Sequence, residues 1–189
     1  MNKTMKKSVT SKEEILQACR EIVATDGLES LNMRLVAAKC NIAPGTLYNY
    51  YSDKNELLLG TIESVWRDIF HHNDSFQCGN SFTEYVRALF TCMIDGAEEY
   101  PDFFSTHSVI IASAKRGEAR SVMEHYFLHM KEEMEDMLEK DPCIKDGAFN
   151  ENLKKSSFID FVLDHLILLI VKGQTSCEYL LEIIRRIIY

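Results

Sequence analysis

Thr46, Tyr48, Asn49 and Lys54 gather two short hydroxyl and amide side chains, a phenol and an ammonium within nine residues. Thr and Asn are compact enough to reach base edges in a nucleic-acid groove, whereas a phenolic hydroxyl and an ammonium donate readily to phosphate oxygens. Patterns that would announce an enzyme are missing beside them. The chain has no Gly-rich phosphate loop, no His-Glu-x-x-His and no nucleophile elbow, and its serines and cysteines have no base in register, so no catalytic residue is assigned.

The elements that must hold this polar set follow from their neighbours. Asn32 can cap a helix whose Val36, Ala37 and Cys40 fall at core spacing, and Asn41 tolerates the left-handed geometry of a sharp exit. Pro44 suits the first position of the next helix, and Leu47 with Tyr51 at i, i+4 gives that helix a narrow buried edge. Asp53 with Glu56 is a capping-box pattern for a third helix. Lys54 stands in its first turn, where the helix dipole disfavours a cation by a few tenths to about 1 kcal/mol; a phosphate nearby reverses the penalty. A short helix, a tight turn, a second short helix and a capped third make a helix-turn-helix.

Residues 11 to 57 resemble the DNA-binding domain of the TetR family of bacterial one-component regulators. The family's Gly-x-x-x-x-[Thr/Ser]-[hydrophobic]-Arg stretch is met by Gly27 through Asn32-Met33-Arg34, and its Gly-Thr-Leu-Tyr core by Gly45-Thr46-Leu47-Tyr48-Asn49-Tyr50-Tyr51-Ser52-Asp53-Lys54-Asn55-Glu56-Leu57. DNA contact is accordingly expected from Asn32, Arg34, Pro44, Gly45, Thr46, Tyr48, Asn49, Tyr50 and Lys54. Three positions depart from the pattern: Leu35 where an acid is common, Asn41 where glycine is usual, and Ala43 where a serine caps the recognition helix. Alanine cannot cap, so that helix is expected to be looser by about 0.5 to 2 kcal/mol unless Pro44 or DNA compensates.

Composition narrows the setting. At 189 residues and 46% hydrophobic content the chain can build a real core in one or two domains. Its six cysteines form no Cys-x-x-Cys pair and its start leads into no apolar targeting segment, which reads as a reduced, cytoplasmic protein without a cofactor. The longest apolar run, residues 158 to 171, is broken by Asp160, Asp164 and His165 and is too short for a membrane span of about 18 to 20 residues. Residues 1–60 hold eight basic and seven acidic side chains, leaving thirteen and twenty-two for the remainder. An acidic body below a near-neutral head suits site-specific binding and not the broad coating of nucleic acid. Lys3, Lys6, Lys7 and Lys12 precede any acid; the plainer reading is a solvated tail, the other an arm on the DNA backbone.

Helical periodicity fills the chain and no strand pattern stands out, so the expected fold is all-α. A three-helix head over residues 1–57 precedes a helical sensing and dimerisation body over 58–189. Ser11 with Glu14 opens the first helix, and a long helix from Asp53 to Asn73 connects head to body. Apolar residues surround the helix over 158–171 on all sides, so one face should meet its own core and another something outside it. Twofold pairing with the last helix would satisfy both, with Phe161, Leu166, Leu169, Leu180, Ile184 and Ile187 at the dimer interface. The TetR resemblance implies the same homodimer.

His107 falls on an apolar face between Phe103, Phe104 and Ile111, either as a core histidine satisfied by a carbonyl or as a ligand contact. The resemblance implies a small-molecule cavity in the body, with Trp66, Phe70, Tyr85, Leu89, Met93, Phe103, His107, Tyr126 and Met130 as its candidate lining. His125 and His129 have the i, i+4 spacing of a metal pair but lie outside their helix's apolar stripe with no third ligand in register, so no metal site is assigned. Asp164 beside His165 can pair across the dimer or face a cationic ligand. The expected function is a ligand-responsive regulator, most simply a repressor released from a palindromic double-stranded operator by a small molecule; the alternative is a constitutive DNA-binding adaptor whose acidic body docks a protein.

Overall fold

The computed structural model describes residues 10–71, 81–101, 103–104 and 118–189, with the helical backbone alone at 71, 118–127 and 129. Helices account for every regular element among them: α1 (Lys12–Asp26), a 3₁₀ turn (Leu28–Ser30), α2 (Met33–Lys39), α3 (Pro44–Leu47), α4 (Lys54–His71), α5 (Phe82–Glu99), α6 (Glu118–Lys140), α7 (Lys155–Val171) and α8 (Glu178–Ile188). Their ends follow the expected local chemistry. Ser11 accepts from the Glu14 N–H while Glu14 reaches back to the Ser11 N–H, and Ser81 with Glu84 repeats that box at α5. At α4 the box is split: Asp53 accepts from the N–H groups of Asn55 and Glu56, but Glu56 takes the Ser52 N–H, one residue earlier than the simple pattern. The Ser52 backbone N–H and hydroxyl hold the Glu56 carboxyl below its ordinary value.

Two apolar clusters organise the chain. The smaller packs Ile15, Cys19, Ile22, Val36, Leu47, Tyr51 and Leu57, and the larger runs from Ile62 through Ile188. Helix α4 feeds both, and Leu58 packs against each. The division is not clean by sequence: Val23 and Leu28 join the larger cluster, because α1 lies against α4 and the turn after α1 packs on α1. Polar side chains cross the same junction. Arg20 on α1 donates to Ser64 and pairs with Asp68 at 3.5 Å, and Asp68 accepts from the buried Tyr100 hydroxyl at the end of α5.

Helices α4 and α5 approach at Gly96, where an added Cβ would lie 2.6 to 2.9 Å from the side-chain carbons of Ile69. At the other end of α5, buried Asp141 accepts from the N–H groups of Phe82 and Cys143 and from the Tyr189 hydroxyl, binding the start of α5, the end of α6 and the residue that follows α8. Burial alone would raise that carboxyl, but the Tyr189, Phe82 and Cys143 donors together hold it below its usual value.

The six interface candidates divide on burial. Leu166, Leu169, Leu180 and Ile184 are buried within the chain's own core and so cannot meet a partner, a correction to the sequence expectation, and Ile187 is half-buried. Phe161 remains outward, joined by Leu168, Val171, Tyr179 and Ile183 at 38–50% exposure. The all-round apolar α7 thus has an inner and an outer face, as its sequence requires; the error lay in which residues occupy which. No helix among the described residues is long and apolar enough to cross a membrane.

Two stability outcomes follow. Gly96→Ala should cost about 1 to 3 kcal/mol by overpacking, and in thermal denaturation the Gly96→Ala, Ile69→Ala double variant should lose less than the sum of its singles. Asp141 titrates below its unfolded value near 3.8, so its contribution is complete above that pH and is lost as pH falls through the lower folded value. Asp141→Asn should therefore be less stable at neutral pH and show a shallower acid loss in urea titrations.

Candidate nucleic-acid interface

Asn32 adopts an extended backbone and accepts the Leu35 N–H at 3.0 Å, starting α2 as its side chain predicts. Helix α2 ends in a Schellman motif: Asn41 sits at φ 53, its N–H donates to the Ala38 carbonyl, and the Ile42 N–H donates to the Ala37 carbonyl. Asparagine thus does at this turn what glycine does elsewhere. Pro44 then opens α3 at its first turn with no side chain capping it from Ala43.

Helix α3 is shorter than the Leu47, Tyr51 pairing suggests. Beyond Leu47 the N–H groups of Asn49 and Tyr50 bond three residues back, to Thr46 and Leu47, and the chain winds through a tight turn. Leu47 and Tyr51 still share the buried side at 0% and 1% exposure, which turns Gly45, Tyr48 and Asn49 outward. Tyr48 is 53% exposed and Thr46 half-buried. Arg34 and Lys54 are exposed on either side of this turn, Lys54 as the first residue of α4.

Two of the nine DNA candidates have prior commitments. Both polar atoms of the Asn32 side chain are used inside the chain, its amide donating to the Ser30 carbonyl at 3.0 Å. The Tyr50 hydroxyl donates to the Thr10 carbonyl at 2.7 Å. These side chains hold the ends of the turn together from within the chain. Nothing in local sequence marks the Tyr50–Thr10 bond, because its partners stand forty residues apart.

Cys19 is fully buried, and that burial pushes its thiol up to about 11. Tyr51 is buried with a hydroxyl that finds no hydrogen-bond partner, and burial likewise raises its pKa.

Residues 11–61 match the family described as bacterial regulatory proteins, tetR family. This head is a TetR-family domain. The HTH-type transcriptional regulator UidR of Escherichia coli (strain K12) is 36% identical over 52 residues, which are 28% of this chain and 26% of that protein. An uncharacterised HTH-type regulator of Haemophilus influenzae is 41% identical over 46 residues, 24% of this chain and 25% of its own length. The chain therefore matches about a quarter of the length of these curated relatives. A TetR regulator of Streptomyces coelicolor, SCO7222, has the same fold along more of the chain, with a TM-score of 0.66 at 18% identity over 90% of this chain and 75% of that one. The multidrug binding protein EbrR, in its complex with ethidium, superposes with a TM-score of 0.64 at 16% identity over 94% and 98%.

In the body, Trp66, Tyr85, Leu89, Met93, Phe103 and Met130 lie in one buried cluster with Phe70 against it. Trp66 stacks on Phe70 at 5.5 Å and meets Phe103 and Phe104 edge-on at 5.6 and 5.2 Å. The Tyr85 hydroxyl donates to Glu133 at 3.2 Å. His107 and the side chains of Tyr126, His125 and His129 lie outside the described residues.

The outward position of Gly45 makes a separable prediction. A Cβ there meets nothing within 4 Å, so Gly45→Ala should raise folding stability by up to about 1 kcal/mol through helix propensity while weakening duplex binding by blocking close backbone approach. Thermal denaturation and fluorescence anisotropy on one preparation read both. Equal duplex affinity for the variant would show that the turn does not approach DNA at Gly45.

Proposed function

We propose that this chain is a homodimeric transcriptional regulator in which a small molecule bound in the helical body releases the head from operator DNA, most simply as a repressor. The continuity of α4 carries the reading. Its first residue, Lys54, flanks the reading turn, and three turns later Trp66 stands among Phe70, Phe103 and Phe104. A ligand that rearranges this aromatic cluster acts on the helix that also closes the head's core. Coupling of about 1.4 kcal/mol suffices for a tenfold change in operator affinity.

The division into a reading head over 1–57 and a sensing body over 58–189 belongs to the same proposal. EbrR supports it by analogy, since that multidrug binding protein of similar fold is complexed with ethidium, a planar aromatic cation. Here Trp66, Phe70, Phe103, Met93 and Met130 supply the apolar surface such a ligand needs. His107 and Tyr126 are retained as polar candidates. DNA contact is assigned to Arg34, Gly45, Thr46, Tyr48, Asn49 and Lys54, with Tyr48 and Lys54 on phosphates and Thr46 and Asn49 toward bases. Pairing through Phe161, Leu168, Val171, Tyr179 and Ile183 would bring two heads to the half-sites of one palindrome, about 34 Å apart.

Three measurements test the reading. Wild type should sediment as a dimer at micromolar concentration, and Leu168→Glu with Ile183→Glu should sediment as a folded monomer that binds the promoter DNA of its own gene at least tenfold more weakly. Lys54→Ala should flatten the salt slope of duplex binding by about one. Titration of planar aromatic compounds should change Trp66 fluorescence and release the duplex with a common midpoint. A wild-type monomer, or a duplex whose affinity no salt concentration alters, would overturn the proposal.

A further inference from the structure

We infer that Asp68, aimed by the Tyr100 hydroxyl, is a link of its own between body and head, acting on Arg20 of α1 and through α1 on the reading turn. The inference rests on the regulator reading above and deepens it by giving the signal a route beside the length of α4. Its first support is where Tyr100 stands. It closes α5, its N–H donating to the Gly96 carbonyl at 2.9 Å, and is 2% exposed. Its carbonyl accepts the Phe103 N–H at 3.1 Å, and its ring lies 6.4 Å from that of Phe103, which in turn meets Trp66 edge-on. Its hydroxyl donates to Asp68 at 2.5 Å. Burial and that carboxylate both raise the phenol's pKa, so it remains a neutral donor. One residue thus joins the aromatic cluster to the Asp68 carboxylate.

The second support is which parts are free to move. Gly96 and Ile69 bring the last turn of α5 against α4 with no room for a methyl group, so Tyr100 and Asp68 travel together. Arg20 belongs to another helix and faces Asp68 at 3.5 Å, with the two side chains 14% and 10% exposed. A pair so far out of water responds steeply to separation, because neither charge is fully rehydrated while the helices stay packed. Glu21, next to Arg20, holds Lys39 at 2.9 Å, and Lys39 ends α2 two residues before the left-handed Asn41. A shift of α1 set by Asp68 is thereby passed to the helix that enters the reading turn. Trp66 and Asp68 are two residues apart, about 200° around α4, so indole and carboxylate serve opposite sides of one helix.

Tyr100 acts here as a positioning residue, through the Asp68 carboxylate. The test uses the full chain and a labelled duplex carrying the promoter DNA of its own gene. Anisotropy of the label reads binding, and emission from Trp66, the sole tryptophan, reads the body. Saturating duplex should change Trp66 emission in the parent. Tyr100→Phe and Arg20→Gln should each still bind the duplex and lose most of that change, and the double variant should lose no more than either single, as expected of two residues in one link. Tyr189→Phe removes a phenol–carboxylate bond at the opposite end of α5 and should keep the parental response. A parent whose emission the duplex leaves unchanged, or variants that keep the parental change, would overturn the link while leaving DNA binding standing. Equal loss from Tyr189→Phe would show a general loosening of the body and overturn it as well. A parent chain that binds no duplex at all would remove the DNA-binding reading itself, and the link with it.

Discussion

Helix α4 must bury apolar side chains in two cores at once, and the rest of the molecule is arranged around that demand. Leu57 closes the small core of the head, Ile62, Val65, Trp66 and Ile69 belong to the large one, and Leu58 touches both. A helix interior is close-packed, so neither cluster can shift its share of α4 without the other responding. Polar links cross the same junction. Arg20, Ser64, Asp68 and Tyr100 form a chain of hydrogen bonds and one ion pair from α1 through α4 to the end of α5. Breaking such a half-buried pair leaves a partly desolvated charge without its partner, which penalises independent movement of the head.

Short-range features were legible in the sequence because their causes are short-range. Ser11 and Asn32 each start a helix where a side-chain oxygen can accept a nearby N–H, and Asn41 ends one where a left-handed residue is needed. The outward set Gly45, Tyr48 and Asn49 could be read from Leu47 and Tyr51 for the same reason. Matters of depth were harder. The all-round apolar character of α7 announced two faces but not their orientation, and four of the six residues expected at a subunit interface turned inward. Periodicity gives relative angles on a helix; which stripe faces the core depends on neighbours it does not encode.

Contacts distant in sequence left no signal at all. Gly96 looks like an unfavourable residue near the end of a helix until Ile69 is seen at 2.6 Å from where its Cβ would stand. Asp141 looks like a helix stop before Pro142, yet its carboxylate ties together three chain segments. Tyr50, one of a run of tyrosines, belongs in sequence to the recognition surface, whereas in the fold its hydroxyl is spent on Thr10. Each case has one residue whose type is explained only by a partner on another element.

The unbroken course of α4 from Lys54 to Trp66 also makes it a mechanical arm. Twelve residues at 1.5 Å each separate the two positions by about 18 Å, so a tilt of about 5° pivoted at the indole sweeps the ammonium through roughly 1.6 Å. That is more than half the length of an ordinary N–H···O contact of about 2.9 Å. The leverage runs both ways: a phosphate held by Lys54 as proposed would resist the same tilt, and the aromatic cluster around Trp66 would then be held in one shape.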